Sequence, residues 1–364
     1  MFALANECFR IMKQLPGAIW HENGFKQKNM TTTKSNLTSF IYLRSGIGIA
    51  CWLLVLTLRT QAAPLTAGVP ILLPGTTDRF DFIRMDTSAG RLIMGHEGNK
   101  TFDVFDIASH KLLKAVSTST SQDATTDAKR GCYYVSGNDP ARMLIVDSTK
   151  LEISGEVAVP ANTDLIAFNP QTGLVYECND TAGQVWVIDP AAKKIVTTIE
   201  VDGSGVEDLA FDSEYKHLYQ AVKGKSTIAV IDPASNTVIQ AWPCSPDQGP
   251  HGIALVPESN GLLVACAGKL LLFDCSTGKV TATAVTGARV DEIAYDPGLH
   301  VAYCASRQGK ISSVAVAHGK LTTLGDVPDE TGTGDIAVDP KTHIVWIAYK
   351  KGGQAFVQPY VPAK

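Results

Sequence analysis

From about residue 64 onward, apolar residues come in short runs that Asp, Asn, Pro and Gly interrupt at close intervals. Runs such as Val185-Trp-Val-Ile-Asp-Pro and Ile195-Val-Thr-Thr-Ile-Glu-Val are short, β-branched or aromatic, and bounded by turn residues, so they predict strands. The runs recur. Asp164-Leu-Ile-Ala-Phe-Asn-Pro, Glu207-Asp-Leu-Ala-Phe-Asp, His251-Gly-Ile-Ala-Leu-Val-Pro, Asp291-Glu-Ile-Ala-Tyr-Asp-Pro and Gly334-Asp-Ile-Ala-Val-Asp-Pro align without gaps, and weaker copies start at Asp81 and Gln122.

The seven starts, 81, 122, 164, 207, 251, 291 and 334, are 40 to 44 residues apart, which is the spacing of four-stranded propeller blades. Two residues after each start sit Ile83, Ala124, Ile166, Leu209, Ile253, Ile293 and Ile336, expected to face the core between blades. Five residues after come Asp86, Asp127, Asn169, Asp212, Val256, Asp296 and Asp339, mostly turn-forming. Twelve residues after, Ile93, Tyr134, Tyr176, Tyr219, Leu263, Tyr303 and Trp346 supply large side chains to fill the wedge. A third strand ends in Asp106, Asp147, Asp189, Asp232 or Asp274, and a fourth follows. The predicted fold is all-β: a seven-bladed β-propeller of four-stranded antiparallel blades. The last copy lacks its outer strand, and residues 69–73, Val-Pro-Ile-Leu-Leu, have the composition to supply it and close the ring.

Residues 1–62 do not share this pattern. Lys34 and Arg44 precede an apolar run over 47–58, followed by Thr60-Gln61-Ala62-Ala63. That order predicts a Sec-type signal peptide cleaved near Ala62 or Ala63, with a retained signal anchor as the alternative. The run is shorter than the roughly 20 apolar residues of a membrane span, so no transmembrane segment is expected after cleavage. Cys51 lies inside the run, which argues against a lipidation site. Translation is expected to start at Met30, leaving 63–364 as one propeller domain in the periplasm or outside the cell.

Cleavage would leave 25 basic against 34 acidic residues, a net charge of −9. An acidic chain speaks against indiscriminate binding to nucleic acid. The six remaining cysteines, Cys132, Cys178, Cys244, Cys266, Cys275 and Cys304, form no CxxC or CxxCH pair, so neither a zinc ribbon nor c-type haem is indicated. No cofactor is required by any motif, and the chain is expected to be monomeric.

The stretches Leu174-Val-Tyr-Glu-Cys-Asn-Asp, Ser226-Thr-Ile-Ala-Val-Ile-Asp-Pro-Ala-Ser-Asn-Thr-Val and Gly249-Pro-His-Gly-Ile-Ala resemble the YncE-like family of bacterial seven-bladed propellers, named for a YVTN-type repeat. The resemblance covers essentially everything after Ala63 and implies the propeller fold. Propellers of this type host binding proteins, lactonases and electron-transfer or copper enzymes, so it does not imply one function. Blades one and two depart most, with Arg84 and Thr125 where the other copies have Ala.

Loops entering the first strand and loops joining strands two and three are expected on one face, around the channel mouth. The first column of the repeat puts Asp81, Asp164, Glu207, His251 and Asp291 there, with Asp335 adjacent. These are the candidate ligand-binding residues, and His251 is the one plausible histidine ligand should a metal bind. A structural role, with the same groups bonded to backbone and water, is the alternative. An outer basic rim is expected from Lys223, Lys225, Lys269, Arg307 and Lys350, with His96, Lys100, Lys310 and Lys351 in equivalent loops. No catalytic residue is assigned: GxSxG, HExxH, P-loop and dinucleotide motifs are all missing. The sequence therefore predicts a non-enzymatic exported propeller binding a small molecule, peptide or protein at the channel mouth. The alternatives are a lactonase-type hydrolase, with Glu207 or Asp164 as base, and a structural or surface-attached interaction module.

Overall fold

The computed structural model describes residues 64–363, apart from positions 76, 77, 180, 213 and 215. The expected leader, with Met30, Cys51 and the cleavage point at Ala62 or Ala63, lies outside the described residues.

Seven antiparallel sheets form the ring. Their first strands are Ile83–Asp86, Thr120–Asp127, Thr163–Asn169, Val206–Phe211, Ile253–Val256, Val290–Asp296 and Asp335–Val338. Each lies at a predicted repeat start, so one repeat is one blade. The strands of blades one to six follow sequence order across each sheet, because short turns join only antiparallel neighbours.

The turn residues act as the pattern predicts. The carboxylates of Asp86, Asp212, Asp296 and Asp339 accept backbone N–H groups two residues on, and so does the Asn169 side-chain oxygen. Asp147, Asp189, Asp232 and Asp274 do the same at the turns between strands three and four. Such Asx turns replace a ladder bond that the reversing backbone cannot make. In blade five Val256 cannot do this, and a short 3-10 turn, Pro257–Ser259, takes its place.

Apolar side chains from adjacent blades pack into seven buried clusters among the described residues, one in each wedge. Tyr134, Tyr176, Tyr219, Tyr303 and Trp346 are all at most 1% exposed. Burying each contributes about 2–3 kcal/mol. The third core strand of blade seven, Gln354–Pro362, meets the chain's other end twice: Leu65–Ala67 pairs with residues 360–362 and Ile71–Leu73 with residues 355–357. One continuous strand over 69–73 was expected. Instead Val69 is 81% exposed and the pairing is interrupted between the two pieces, with Val69 and Pro70 opposite Gln358. The first ladder runs on to Gly68, whose N–H donates to Pro359 O at 2.8 Å, and it stops before Pro70, which has no N–H to continue it.

Candidate functional site

In blades two, three, four and six the first strand slips register against the second, at Ser121/Ala124, Thr163/Ile166, Val206/Leu209 and Val290/Ile293. The two residues inside each slip are the first column of the repeat and its successor. A bulge re-aims side chains that a regular strand would send to opposite faces. In blades four and six both members are acids and both are buried: Glu207 with Asp208, and Asp291 with Glu292.

In blades two, four and six the second residue of the slip is an acid that builds the channel. Asp123, Asp208 and Glu292 accept the backbone N–H groups of Ile166, Ile253 and Ile336 in the next blade at 3.2, 3.0 and 2.7 Å. Arg84 fills the space between them. Its Nε and Nη2 donate to Asp123 at 3.0 Å, and Nη2 also donates to Asp208 at 3.0 Å. Burial works against the guanidinium charge, but Asp123 and Asp208, with Glu292 beyond them, raise its pKa. Burial likewise raises Asp123 and Glu292. These channel residues were missed as a group. Arg84 was visible as a break in an alanine column, but nothing in one sequence says that a column faces a channel and not a wedge.

The first acid of each pair, Glu207 and Asp291, joins a second line of charged and polar side chains. Lys223 Nζ is 3.0 Å from Glu207 Oε1, and Glu207 Oε2 is 3.1 Å from His251 Nε2. His251 Nε2 lies 3.7 Å from Asp291 Oδ1, Asp291 bonds Arg307 Nε, and Arg307 Nη2 is 3.9 Å from Asp81 Oδ1. Six side chains from blades one, four, five and six thus form one line, with His251 between the Glu207 and Asp291 carboxylates and a cation on the far side of each. Burial lowers the His251 pKa despite Glu207 beside it. Burial, with Glu97 adding, raises Asp81 to about 7. Burial and the Asp81 charge hold Asp335 well above the carboxylate range. Asp164 is half-buried near Cys178, whose thiol burial and that charge push up. The structure therefore brings Asp81, Glu207, His251 and Asp291 together, sets Asp335 next to Asp81, and places Asp164 beside Cys178 in blade three.

A recess of about 560 Å³ opens beside this line, lined by Lys223, His251, Asp291, Arg307, Arg79 and Arg289. The sequence reading named neither Arg79 nor Arg289, because in the loops entering the first strand it followed only the first column of the repeat. Arg79 pairs with Glu97. Arg289 is exposed, has a left-handed backbone (φ 57°), and makes no ion pair among the described residues.

The predicted basic rim is otherwise split into local pairs. Lys225 meets Asp202, Lys269 meets Asp247, Lys350 meets Asp78, Lys310 meets Asp326 and Lys351 meets Glu330. His96 belongs to no rim: it is fully buried, 2.8 Å from Asp103 Oδ2, and stacked on Phe80 with ring centroids 4.0 Å apart. An aromatic neighbour and an inward strand position outweigh the loop assignment. No group of three or more His, Cys, Asp or Glu side chains among the described residues is placed to hold a metal ion. At His251, the flanking carboxylates already bind Lys223 and Arg307.

Fold and mouth together define a seven-bladed propeller with a charged upper face. No family model matches the chain. It is 25% identical over 262 residues to YncE of Salmonella typhi, covering 70% of this chain and 71% of that protein. Over 151 residues it is 28% identical to YncE of Salmonella typhimurium strain LT2, covering 40% of this chain and 42% of that protein. Both relatives are themselves uncharacterised. In fold it is similar to a chain of Kuenenia stuttgartiensis hydrazine synthase (TM-score 0.67, 14% identity, 78% of this chain and 95% of that one). A chain of a mitotic checkpoint complex is also similar (TM-score 0.71, 16% identity, 84% and 97%). At such identities the two structures speak for the fold alone. Sequence relatives and architecture together are consistent with a YncE-like propeller. Among the described residues no helix is long and apolar enough to cross a membrane.

Proposed function

We propose that this chain is a binding protein and not an enzyme, exported through its N-terminal leader, and that its channel-mouth recess takes a small anionic molecule. One observation carries this reading: Arg289 lies without a carboxylate partner among the described residues, in the same recess as Arg79, Lys223 and Arg307. Like charges brought together on a surface repel unless an anion joins them. The side chains of Arg79 and Lys223 are about half exposed, so they keep donors available. Asp291 and Glu207 hold Arg307 and Lys223 in place and leave the recess with a cationic excess. A lactonase-type reaction draws no comparable support, since both oxygens of Glu207 are engaged by Lys223 and His251.

Titration calorimetry with inorganic phosphate, succinate and citrate tests the reading. At least one should bind saturably, more weakly at higher salt, and Arg289→Ala and Arg307→Ala should each weaken it about tenfold, or about 1.4 kcal/mol. Arg289→Ala should leave the melting temperature unchanged. No saturable binding, or equal binding by wild type and both variants, sinks the proposal. The export component is decided by the N-terminus of the mature protein, expected just after Ala62 or Ala63. Retention of Met30 would refute it.

A further inference from the structure

The wedge between blades four and five ends, on the side of the recess, in two thiols. Cys244 follows the outer strand of blade four, Thr237–Pro243, and Cys266 ends the second strand of blade five, Gly261–Cys266. They are 1% and 3% exposed and belong to the same apolar cluster, with Ile228, Trp242 and Val264. Both are free thiols, and the Cys244 side chain acts on the Cys266 thiol more strongly than any other side chain.

The backbone on each side is already fixed. Cys244 N–H donates to Ser226 O at 2.9 Å, Asp247 N–H to Cys244 O at 3.0 Å, and Ala267 N–H to Gln248 O at 3.1 Å. Other cysteines meet different groups. Cys178 Sγ faces the carbonyls of Val206 and Glu207 at 3.7 and 3.9 Å, and Cys275 meets the Tyr219 hydroxyl.

We propose that Cys244 and Cys266 form an intramolecular disulfide that fastens the outer strand of blade four to the second strand of blade five. The bridge would anchor the start of segment 245–251, which carries Gly249 and His251 to the recess. The chemistry is thiol–disulfide exchange with a small-molecule or protein disulfide as oxidant. One cysteine thiolate attacks that disulfide, forming a mixed disulfide and expelling one thiolate. The second cysteine, losing its proton, attacks the protein sulfur of the mixed disulfide and expels the other. Two electrons and two protons pass to the oxidant, which leaves as two thiols. The Cys244 contact, together with burial, holds the Cys266 thiol far above its usual pKa, and an un-ionised thiol is a poor nucleophile. Exchange therefore belongs to folding, before the wedge closes.

The test uses the full-length chain refolded in a mixture of oxidised and reduced glutathione, then denatured, alkylated and digested for mass spectrometry. The peptides bearing Cys244 and Cys266 should appear as one linked species that dithiothreitol separates. Recovery of both as alkylated thiols, or linkage of each to several other cysteines in similar amounts, would overturn the proposal. Reduction should lower the wild-type melting temperature by about 5 °C, as expected for a closed loop of about 20 residues. Cys244→Ser and Cys266→Ser should each melt like the reduced wild type and ignore dithiothreitol. A linked wild type whose melting temperature does not move on reduction would overturn the fastening role. None of these readouts depends on what the recess binds.

Discussion

Glu177, on the second strand of blade three, is fully buried, and neither carboxyl oxygen has a hydrogen-bond partner among the described residues. Burial pushes its pKa up to about 8, with the Asp123 charge adding. Burial also raises Asp81 and Asp329 to about 7. Each group keeps, in the folded state, a proton that the unfolded chain releases near its ordinary pKa. The folded state thus binds more protons between about pH 4 and 8, and stability falls as pH rises through that window. The turn carboxylates of Asp106, Asp232 and Asp274 are shifted the other way by side-chain and backbone hydrogen bonds, so the stability they contribute is lost as pH falls from the ordinary carboxylate range through their folded values. Melting temperature should therefore be highest at mildly acidic pH. Glu177→Gln, which cannot ionise, should melt several degrees above wild type near pH 8 and level with it near pH 5, as differential scanning calorimetry would read. A variant gap of the same size at both pH values would show that Glu177 ionisation is not involved. Glu177 was quoted within a repeat but not singled out, since burial of a carboxyl is invisible in one sequence.

The blade, as the repeating element, was legible almost to the residue, because turn chemistry and apolar columns recur in each copy. A further column went unread: Gly95, Ser136, Cys178, Ala221, Ala265, Ala305 and Ala348, fourteen residues after each start. All are small, and those of blades two to seven are at most 1% exposed. Gly95, Ser136 and Cys178 lie against the bulged first strand of the next blade. Ser136 Oγ donates to Asp164 O at 2.9 Å, and Cys178 Sγ lies 3.9 Å from Glu207 O. At Gly95 a Cβ would fall 1.9 Å from Gln122 O, a backbone atom that cannot swing aside. Gly95→Ala should therefore force blades one and two apart and cost about 1–3 kcal/mol by urea denaturation. An unchanged unfolding midpoint would mean that the wedge yields more easily than a close-packed interior does. Size alone marks this column, and a column of small residues reads equally well as solvent-facing until its neighbour is known.

At the scale of the whole molecule, both chain ends build blade seven. Leu73, at 1% exposure, joins Ile83, Phe105, Trp346 and Val357 in the wedge between blades seven and one. Deleting residues 65–73 should expose strand 354–362 along its outer edge and uncover part of that wedge. We expect a lower melting temperature together with self-association, read by light scattering. Away from the channel each blade packs against its neighbours, so a loss confined to one wedge would leave the other wedges intact. A monodisperse variant with an unchanged melting temperature would show that blade seven is self-sufficient.

The sequence by itself determined the number of blades, their turns and their wedge-filling aromatics. Those features repeat, and repetition makes local physical chemistry readable without coordinates. The tertiary structure alone decided which charges meet. Arg84 reaches Asp123 and Asp208 across 39 and 124 residues of chain, Arg307 reaches both Asp291 and Asp81, and Arg289 is left without a counter-charge among the described residues. Each departs from the repeat, and its partners are set by curvature of the ring and by bulges that turn consecutive side chains the same way. Neither property is encoded at a fixed spacing, so the recess, the channel plug and the Cys244–Cys266 contact appear only once the blades are assembled.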